Sequence, residues 1–361
     1  MTIVRARGSS VRSRYNFVTL AAVVPFAPDP RFTLLRTPAA EDDFARDVRV
    51  GLTAEHKWLP PRWFYDALGS SLFDTICFLP EYYVMRAEAE VLTSFRKEIV
   101  ASFGPHVRLV ELGSGAARKT RILLDEMEDV EYVPVDIDEE MLKRSARDLL
   151  RDYADLRVTA IRSDFARPSI PLSLLEGARA SSPRGRAGSP APHTVVLFLG
   201  STIGNLNPEE AIAMLRDLRS ALAPGDALFL GADLRKDRAV LEPAYDDALG
   251  VTAAFNLNLL GRINRELGGH FDLAAFRHHA FYDEAHGRIE MHLVSKHAQR
   301  VRIDALDLEI PFAAGESIHT ESSYKHNAET LASLANASGF SIEKTWIDAR
   351  SWFADVLLIA S

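Results

Sequence analysis

One cysteine, Cys77, leaves no partner for an intrachain disulfide and no set of thiolates for a sulfur-rich zinc site. Long apolar runs are missing as well, and none approaches the ~20 residues that span a bilayer. The central region has no run of Lys or Arg and the net charge is −8, which argues against nucleic acid or an anionic membrane as a main partner. There is no internal repeat. What remains is 361 residues with 47% hydrophobic and 25% charged content. That is enough for a real core in two domains, or in one large domain carrying an insertion.

Two segments stand apart. Arg5, Arg7, Arg12 and Arg14 precede Phe17-Val18-Thr19-Leu20-Ala21-Ala22-Val23-Val24, with no acid before Asp29. This is similar to the basic and apolar parts of a secretory signal, but no clear small-x-small cleavage site follows. A flexible extension or an upstream start codon is the expectation for residues 1–40. Residues 179–192, rich in Pro, Arg and Ser, lack periodicity and read as a surface loop before a strand.

The most informative stretch is Val107-Arg108-Leu109-Val110-Glu111-Leu112-Gly113-Ser114-Gly115. An apolar run of strand length ends in an acid and a glycine-spaced turn, then a helix-like pattern begins. Glycines admit a ligand that a side chain would exclude, and a helix start offers unpaired N–H groups. Such a turn belongs at the carboxyl end of the first strand of a nucleotide-binding α/β sheet. Where a dinucleotide motif has its third glycine, this chain has Arg118. Glu131 to Val135 reads as a second strand, and Asp136 follows at the position where an acid can accept both hydrogen bonds from a ribose diol. Asp138 reads as the N-cap of the next helix. Leu156 to Arg162 reads as a third strand before Asp164 and Phe165, which could meet an adenine. Thr194 to Leu199 and Asp226 to Gly231 complete a parallel, doubly wound sheet of strands alternating with helices. After Asp233 the alternation stops. Helical material over 238–268 and alternating segments at Phe276 to Tyr282, Arg288 to Val294 and Arg300 to Ile303 predict an inserted β-rich unit.

Several of these stretches, with Leu59-Pro60-Pro61-Arg62-Trp63-Phe64-Tyr65-Asp66, Leu79-Pro80-Glu81-Tyr82-Tyr83 and Phe198-Leu199-Gly200-Ser201-Thr202-Ile203-Gly204-Asn205, resemble the histidine Nα-methyltransferases. So do Ala244-Tyr245-Asp246-Asp247, Arg288-Ile289-Glu290-Met291 and Phe312-Ala313-Ala314-Gly315-Glu316. The resemblance covers about residues 41–361 in the right order. It implies a Rossmann-like methyltransferase domain from 87–235 plus 325–361, and an α+β substrate-binding domain from 41–86 plus 236–324. It also implies S-adenosylmethionine as cofactor, L-histidine as substrate and hercynine as product, the first intermediate of ergothioneine biosynthesis. A cytoplasmic monomer is the expectation.

Carried onto matching positions, the resemblance gives Gly113, Lys119, Asp136, Asp164 and Phe165 to the cofactor, with Lys119 reaching the methionine carboxylate. Tyr82, Asn205 and Tyr245 would bind the amino acid's ammonium and carboxylate ends. Glu321, Ser322 and Ser323 would recognise the imidazole, with Met291 along its flank. In an extended segment, residues two apart project to the same side, so Glu321 and Ser323 can address the two nitrogens of one ring. Neutral imidazole offers one donor and one acceptor, whereas an indole offers only a donor. Tyr65 is expected in the hydrogen-bond network around the amine, and Tyr65 and Asn205 are the expected catalytic residues. Two other readings stay open: methylation of another amino acid such as a tryptophan derivative, and an NAD-dependent oxidoreductase, since a glycine turn with a ribose acid serves both cofactors.

Overall fold

The computed structural model describes residues 2–5, 29–37, 43–163 and 193–360. Fourteen strands occur among them: β1 (Thr2–Arg5), β2 (Phe32–Arg36), β3 (Val107–Leu112), β4 (Glu131–Asp136), β5 (Arg157–Arg162), β6 (His193–Phe198), β7 (Ala227–Asp233), β8 (Phe276–Asp283), β9 (Arg288–Ser295), β10 (Gln299–Ile303), β11 (Leu308–Phe312), β12 (Ser317–Tyr324), β13 (Phe340–Ile347) and β14 (Phe353–Ala360). The helices are α1 (Asp43–Thr53), α2 (Ala67–Ile76), α3 (Val84–Phe103), α4 (Thr120–Leu124), α5 (Glu139–Asp152), α6 (Pro208–Ala221), α7 (Arg238–Tyr245), α8 (Val251–Leu267) and α9 (Ala328–Ser338). None is long and apolar enough to cross a membrane.

Nine strands make one sheet in the order β1-β13-β14-β7-β6-β3-β4-β5-β2. The run from β7 to β2 is parallel, and β14 lies antiparallel between β7 and β13. The continuous apolar residues of β3 and β6 are buried along almost their whole length, because helices cover both faces. From β3 the chain moves outward through β4 and β5, then returns to place β6 on the other side. This reversal opens a crevice at the carboxyl ends of β3 and β6, where open α/β sheets bind ligands.

Two strands fall within the segment expected as an extension. Phe32–Arg36 is an edge strand parallel to β5, and Thr2–Arg5 pairs with β13. Leu35 and Phe32 pack against the cores on the two faces of the sheet. The Arg31 guanidinium donates to the carbonyls of Leu150, Tyr153 and Ala154, satisfying the carboxyl end of α5. Residues 6–28, the 179–192 segment, Asp164 and Phe165 lie outside the described residues.

The remaining strands form the three-stranded antiparallel sheet β12-β9-β8 and the hairpin β10-β11. As the alternation suggested, β8 and β9 are joined through the turn at Asp283 to Gly287, where Gly287 has φ 66°. One core combines residues between Val48 and Ala87 with residues between Leu241 and Ile318, and includes Phe353. The small sheet meets the large one at a tight point. A Cβ on Gly204 would lie 2.7 Å from the backbone oxygen of Tyr324 and 3.3 Å from its nitrogen. Backbone cannot rotate away as a side chain can. Gly204→Ala should therefore lower stability by ~1–3 kcal/mol, read as an earlier urea-unfolding midpoint.

Candidate active site

A cavity of about 300 Å³ opens at the carboxyl ends of β3, β4 and β6 and extends beneath the small sheet. Its lining includes Gly113, Lys119 and Asp136 at one end, and Tyr65, Tyr82, Asn205, Tyr245, Met291, Glu321 and Ser323 at the other. Ten of the residues expected from sequence thus meet in one space.

The first end is shaped by backbone. Gly113 has φ 72°, which lets the chain leave β3 with no side chain over the crevice. Asp136 accepts hydrogen bonds from the N–H of Gly115 at 2.8 Å and of Asp138 at 3.0 Å, so its carboxylate is held at the strand end. Burial raises its pKa, with those donors opposing. Asp138 caps α5 by accepting from Met141 N–H at 3.0 Å, as its sequence position suggested. Glu111 faces inward, where burial pushes its pKa up to about 7, and it accepts from Thr120 and Tyr132. Ser114 Oγ is buried with no hydrogen-bond partner among the described residues, a group that a polar ligand in the crevice could satisfy. A glycine turn, an acid at the next strand end and an unpaired hydroxyl fit the nucleoside and amino-acid ends of S-adenosylmethionine.

Lys119 has a partner that the sequence did not announce. Its ammonium pairs with Glu88, a fully buried acid on α3. Glu88 also accepts from Gly200 N–H at 2.8 Å, which ties the end of β6 to α3. The signal was present: Glu88 falls on the face of α3 that buries Val84, Ala87, Val91 and Leu92.

At the second end, Glu321 is only 7% exposed and its carboxylate has no hydrogen-bond partner among the described residues. Burial pushes its pKa up to about 7, against the pull of Lys325. Ser323 lies on the same side, with Oγ 2.8 Å from the hydroxyl of Tyr245. The hydroxyls of Tyr65 and Tyr82 and the amide of Asn205 likewise have no protein partner and face the cavity. Burial raises the pKa of both Tyr65 and Tyr82, with Glu321 adding to the rise, so both remain neutral phenols. Tyr82 meets Tyr245 edge to face at 6.1 Å, and Tyr65 meets Phe73 and Phe255 in the same way.

Ser322 is the exception. Strand alternation turns it to the opposite face, where its hydroxyl lies 3.0 Å from His319 Nε2 and outside the cavity.

Behind the substrate end lies a network that sequence reasoning missed. Lys325 Nζ, wholly buried, donates to Tyr245 Oη at 2.8 Å, to Ser323 Oγ at 2.9 Å and to Asp233 at 2.8 Å. Asp233 also accepts from Tyr83 at 2.7 Å and pairs with Lys236. Its pKa is lowered: burial opposes this, and the two ammonium groups override it. The same acid holds Lys325 above its ordinary value, while burial and repulsion from Lys325 push Lys236 down to about 8. The signal for Asp233 was an acid ending a buried parallel strand; Lys325 gave none. Lys325→Met would leave Asp233 with one cation and would take a donor from the Tyr245 and Ser323 oxygens. It should cost ~3–5 kcal/mol in chemical denaturation, as expected when one partner of a buried ion pair is removed.

Comparison with known proteins identifies the family. A family model described as histidine-specific, SAM-dependent methyltransferase matches residues 44–360. The histidine N-alpha-methyltransferase of Mycolicibacterium smegmatis is 44% identical over 326 residues, 88% of this chain and 95% of that protein. Its namesake in Mycobacterium tuberculosis is 44% identical over 312 residues, covering 85% and 92% respectively. Ergothioneine biosynthesis protein 1 of Schizosaccharomyces pombe is 29% identical over 294 residues, 79% of this chain and 36% of that protein. The chain belongs to the family of histidine-specific, S-adenosylmethionine-dependent methyltransferases.

Proposed function

We propose that the protein transfers methyl groups from S-adenosylmethionine to the α-amine of L-histidine, three times in succession, to give hercynine for ergothioneine biosynthesis. Family membership supports the reaction and sets aside the NAD-dependent alternative. The observation that carries the substrate is Glu321, a buried carboxylate without a hydrogen-bond partner among the described residues, beside a hydroxyl on the same side of its strand. A buried charge with nothing to pair is costly. A ligand N–H is what this carboxylate lacks.

The network behind it favours an azole. Lys325 only donates, so the oxygens of Tyr245 and Ser323 both accept from it. Their mutual contact uses one of their two hydroxyl protons, which leaves one for the ligand. If Tyr245 donates to Ser323, the Ser323 proton is free for the unprotonated imidazole nitrogen while Glu321 accepts from the other. An indole would leave that hydroxyl unpaired, at ~1–3 kcal/mol. Met291, 2% exposed, would lie along the ring.

When bound, the cofactor supplies a methyl group on a positively charged sulfur that is ready to leave. The chain's own part is alignment and exclusion of water. Asn205 closes the short turn Thr202–Asn205 just past β6 and lines the cavity, a position suited to orienting the amine. Tyr65 and Tyr82 serve as neutral hydrogen-bonding groups, and the proton shed before each transfer passes to water. Gly113 and Asp136 would hold the nucleoside side, with Asp164 and Phe165 at the adenine. Lys119, fixed by Glu88, would contribute its charge at the methionine end.

The reading includes a division into a methyltransferase unit, 87–235 with 325–361, and a substrate unit, 41–86 with 236–324. The core drawn from residues between Val48 and Ala87 and between Leu241 and Ile318 supports it. It also includes a cytoplasmic monomer acting on a free amino acid.

Incubation with histidine and S-adenosylmethionine should produce a mass gain of three methyl groups on histidine and none on tryptophan. Glu321→Ala should raise KM for histidine by about tenfold or more, and a wild-type KM would refute the assignment. Asn205→Ala should lower kcat as well as kcat/KM, because amine orientation is needed in the transition state.

A further inference from the structure

The outer face of the β8-β9-β12 sheet carries a cluster that methyl transfer leaves unused. Glu290 and His292 sit two apart on β9 and share the face opposite Met291. Strand register places His319 of β12 directly across from His292. One ligand atom from each of the three residues lies within 4.8 Å of the other two. His292 Nε2 is 2.8 Å from Glu290 Oε2, while its Nδ1 is buried with no hydrogen-bond partner among the described residues. The two imidazoles meet edge to face at 5.2 Å.

We propose that Glu290, His292 and His319 form a binding site for a divalent transition metal ion such as zinc, which pins β9 to β12 on the side away from the cavity. Two imidazoles and a carboxylate suit borderline ions of this kind better than magnesium or calcium, which take oxygen. The ligands also have orienting partners, as metal ligands commonly do. Arg288 pairs with the far oxygen of Glu290 and donates to Tyr324 Oη at 2.6 Å, so Oε2 faces His292, where an ion would replace their mutual contact. Ser322 steadies the His319 ring at 3.0 Å. Arg288 opposes a cation electrostatically, so micromolar affinity is expected.

The position gives the site a consequence. The register of β12 against β9 shifts between His319 and Glu321. A bulge of this kind re-aims side chains. Here it stands between a metal ligand on one face and the Glu321–Ser323 pair on the other. An ion on the outer face would fix the strand pairing on which the aim of that pair depends.

Zinc titrated calorimetrically into the chelator-treated full-length chain should bind one equivalent and raise its melting temperature. His292→Gln and His319→Gln should each weaken binding by about tenfold or more and abolish the thermal shift. Both should melt with metal-free wild type. His286→Gln, in the exposed turn between β8 and β9, should change neither reading. In the wild-type chain, zinc should protect His292 and His319 from diethyl pyrocarbonate, read by peptide mass spectrometry without recourse to any variant. Full one-equivalent binding by the double variant, absence of saturable binding in wild type, or modification of both histidines at an undiminished rate would overturn the site. These readouts do not depend on methyl transfer, so their failure leaves the substrate assignment standing.

Discussion

The buried pair of Lys325 and Asp233 is the constraint around which the rest is arranged. Asp233 ends a strand of the large sheet, and Lys325 follows the last strand of the small one, with both side chains fully removed from water. Desolvating two ions is expensive, and the cost is offset only where geometry and further hydrogen bonds are good. Here every donor of Lys325 is used, and Asp233 has Tyr83 and Lys236 as well. Because Lys325 is donor-only, it dictates what Tyr245 and Ser323 have left to offer. A structural ion pair thereby fixes the polarity of a recognition site.

The two ends of the cavity are built by different means. At the cofactor end, backbone conformation does most of the shaping: Gly113, Gly115 and Gly200 all have positive φ, as do Ala117 and Ser201. Non-glycine residues at such angles persist where surrounding structure imposes them. Ser201 shows how, since its hydroxyl accepts from Asp233 N–H at 2.9 Å. At the substrate end the work falls to side chains on β9 and β12, whose alternation sends Met291, Glu321 and Ser323 inward and Glu290, His292 and Ser322 outward.

This difference explains what could be read from sequence. Strand ends followed by Gly-x-Gly or by an acid announce themselves, because the chemistry and the backbone geometry coincide there. Asp136 and Asp138 took the positions their spacing implied. The inserted β-rich unit was legible from the loss of βα alternation after Asp233, although the edge strand at Phe32–Arg36 was not. Its short apolar run carries no periodicity that separates it from a tail. Glu321 and Ser323 needed the family resemblance, since a Glu-Ser-Ser stretch in a strand has no local signature. The period of two that pairs Glu321 with Ser323 also turns Ser322 to the other face, away from the cavity. Lys119 was legible as a cavity residue but not as the partner of Glu88, because that pairing joins residues 31 apart in sequence. Lys325 was invisible for a similar reason: a lysine after a strand reads as solvated until the fold buries it.

The division between backbone and side chains also indicates where specificity can change. Substituting a residue at the glycine turns disturbs how the chain leaves a central strand of the large sheet, so that end tolerates little variation. Glu321, Ser323 and Met291 sit on a separate antiparallel sheet whose two faces are independent by alternation, and replacing one of them leaves the nine-stranded sheet intact. The exception is whatever touches Lys325. A substitution at Tyr245 or Ser323 that removes an acceptor strands a buried ammonium donor, so the loss is felt in stability as well as in binding. Tyr245 and Ser323 are therefore tied to the junction between the sheets, while Glu321 makes no hydrogen bond to that network among the described residues. Under the proposed assignment, the carboxylate is the half of imidazole recognition that can be exchanged without loosening the fold.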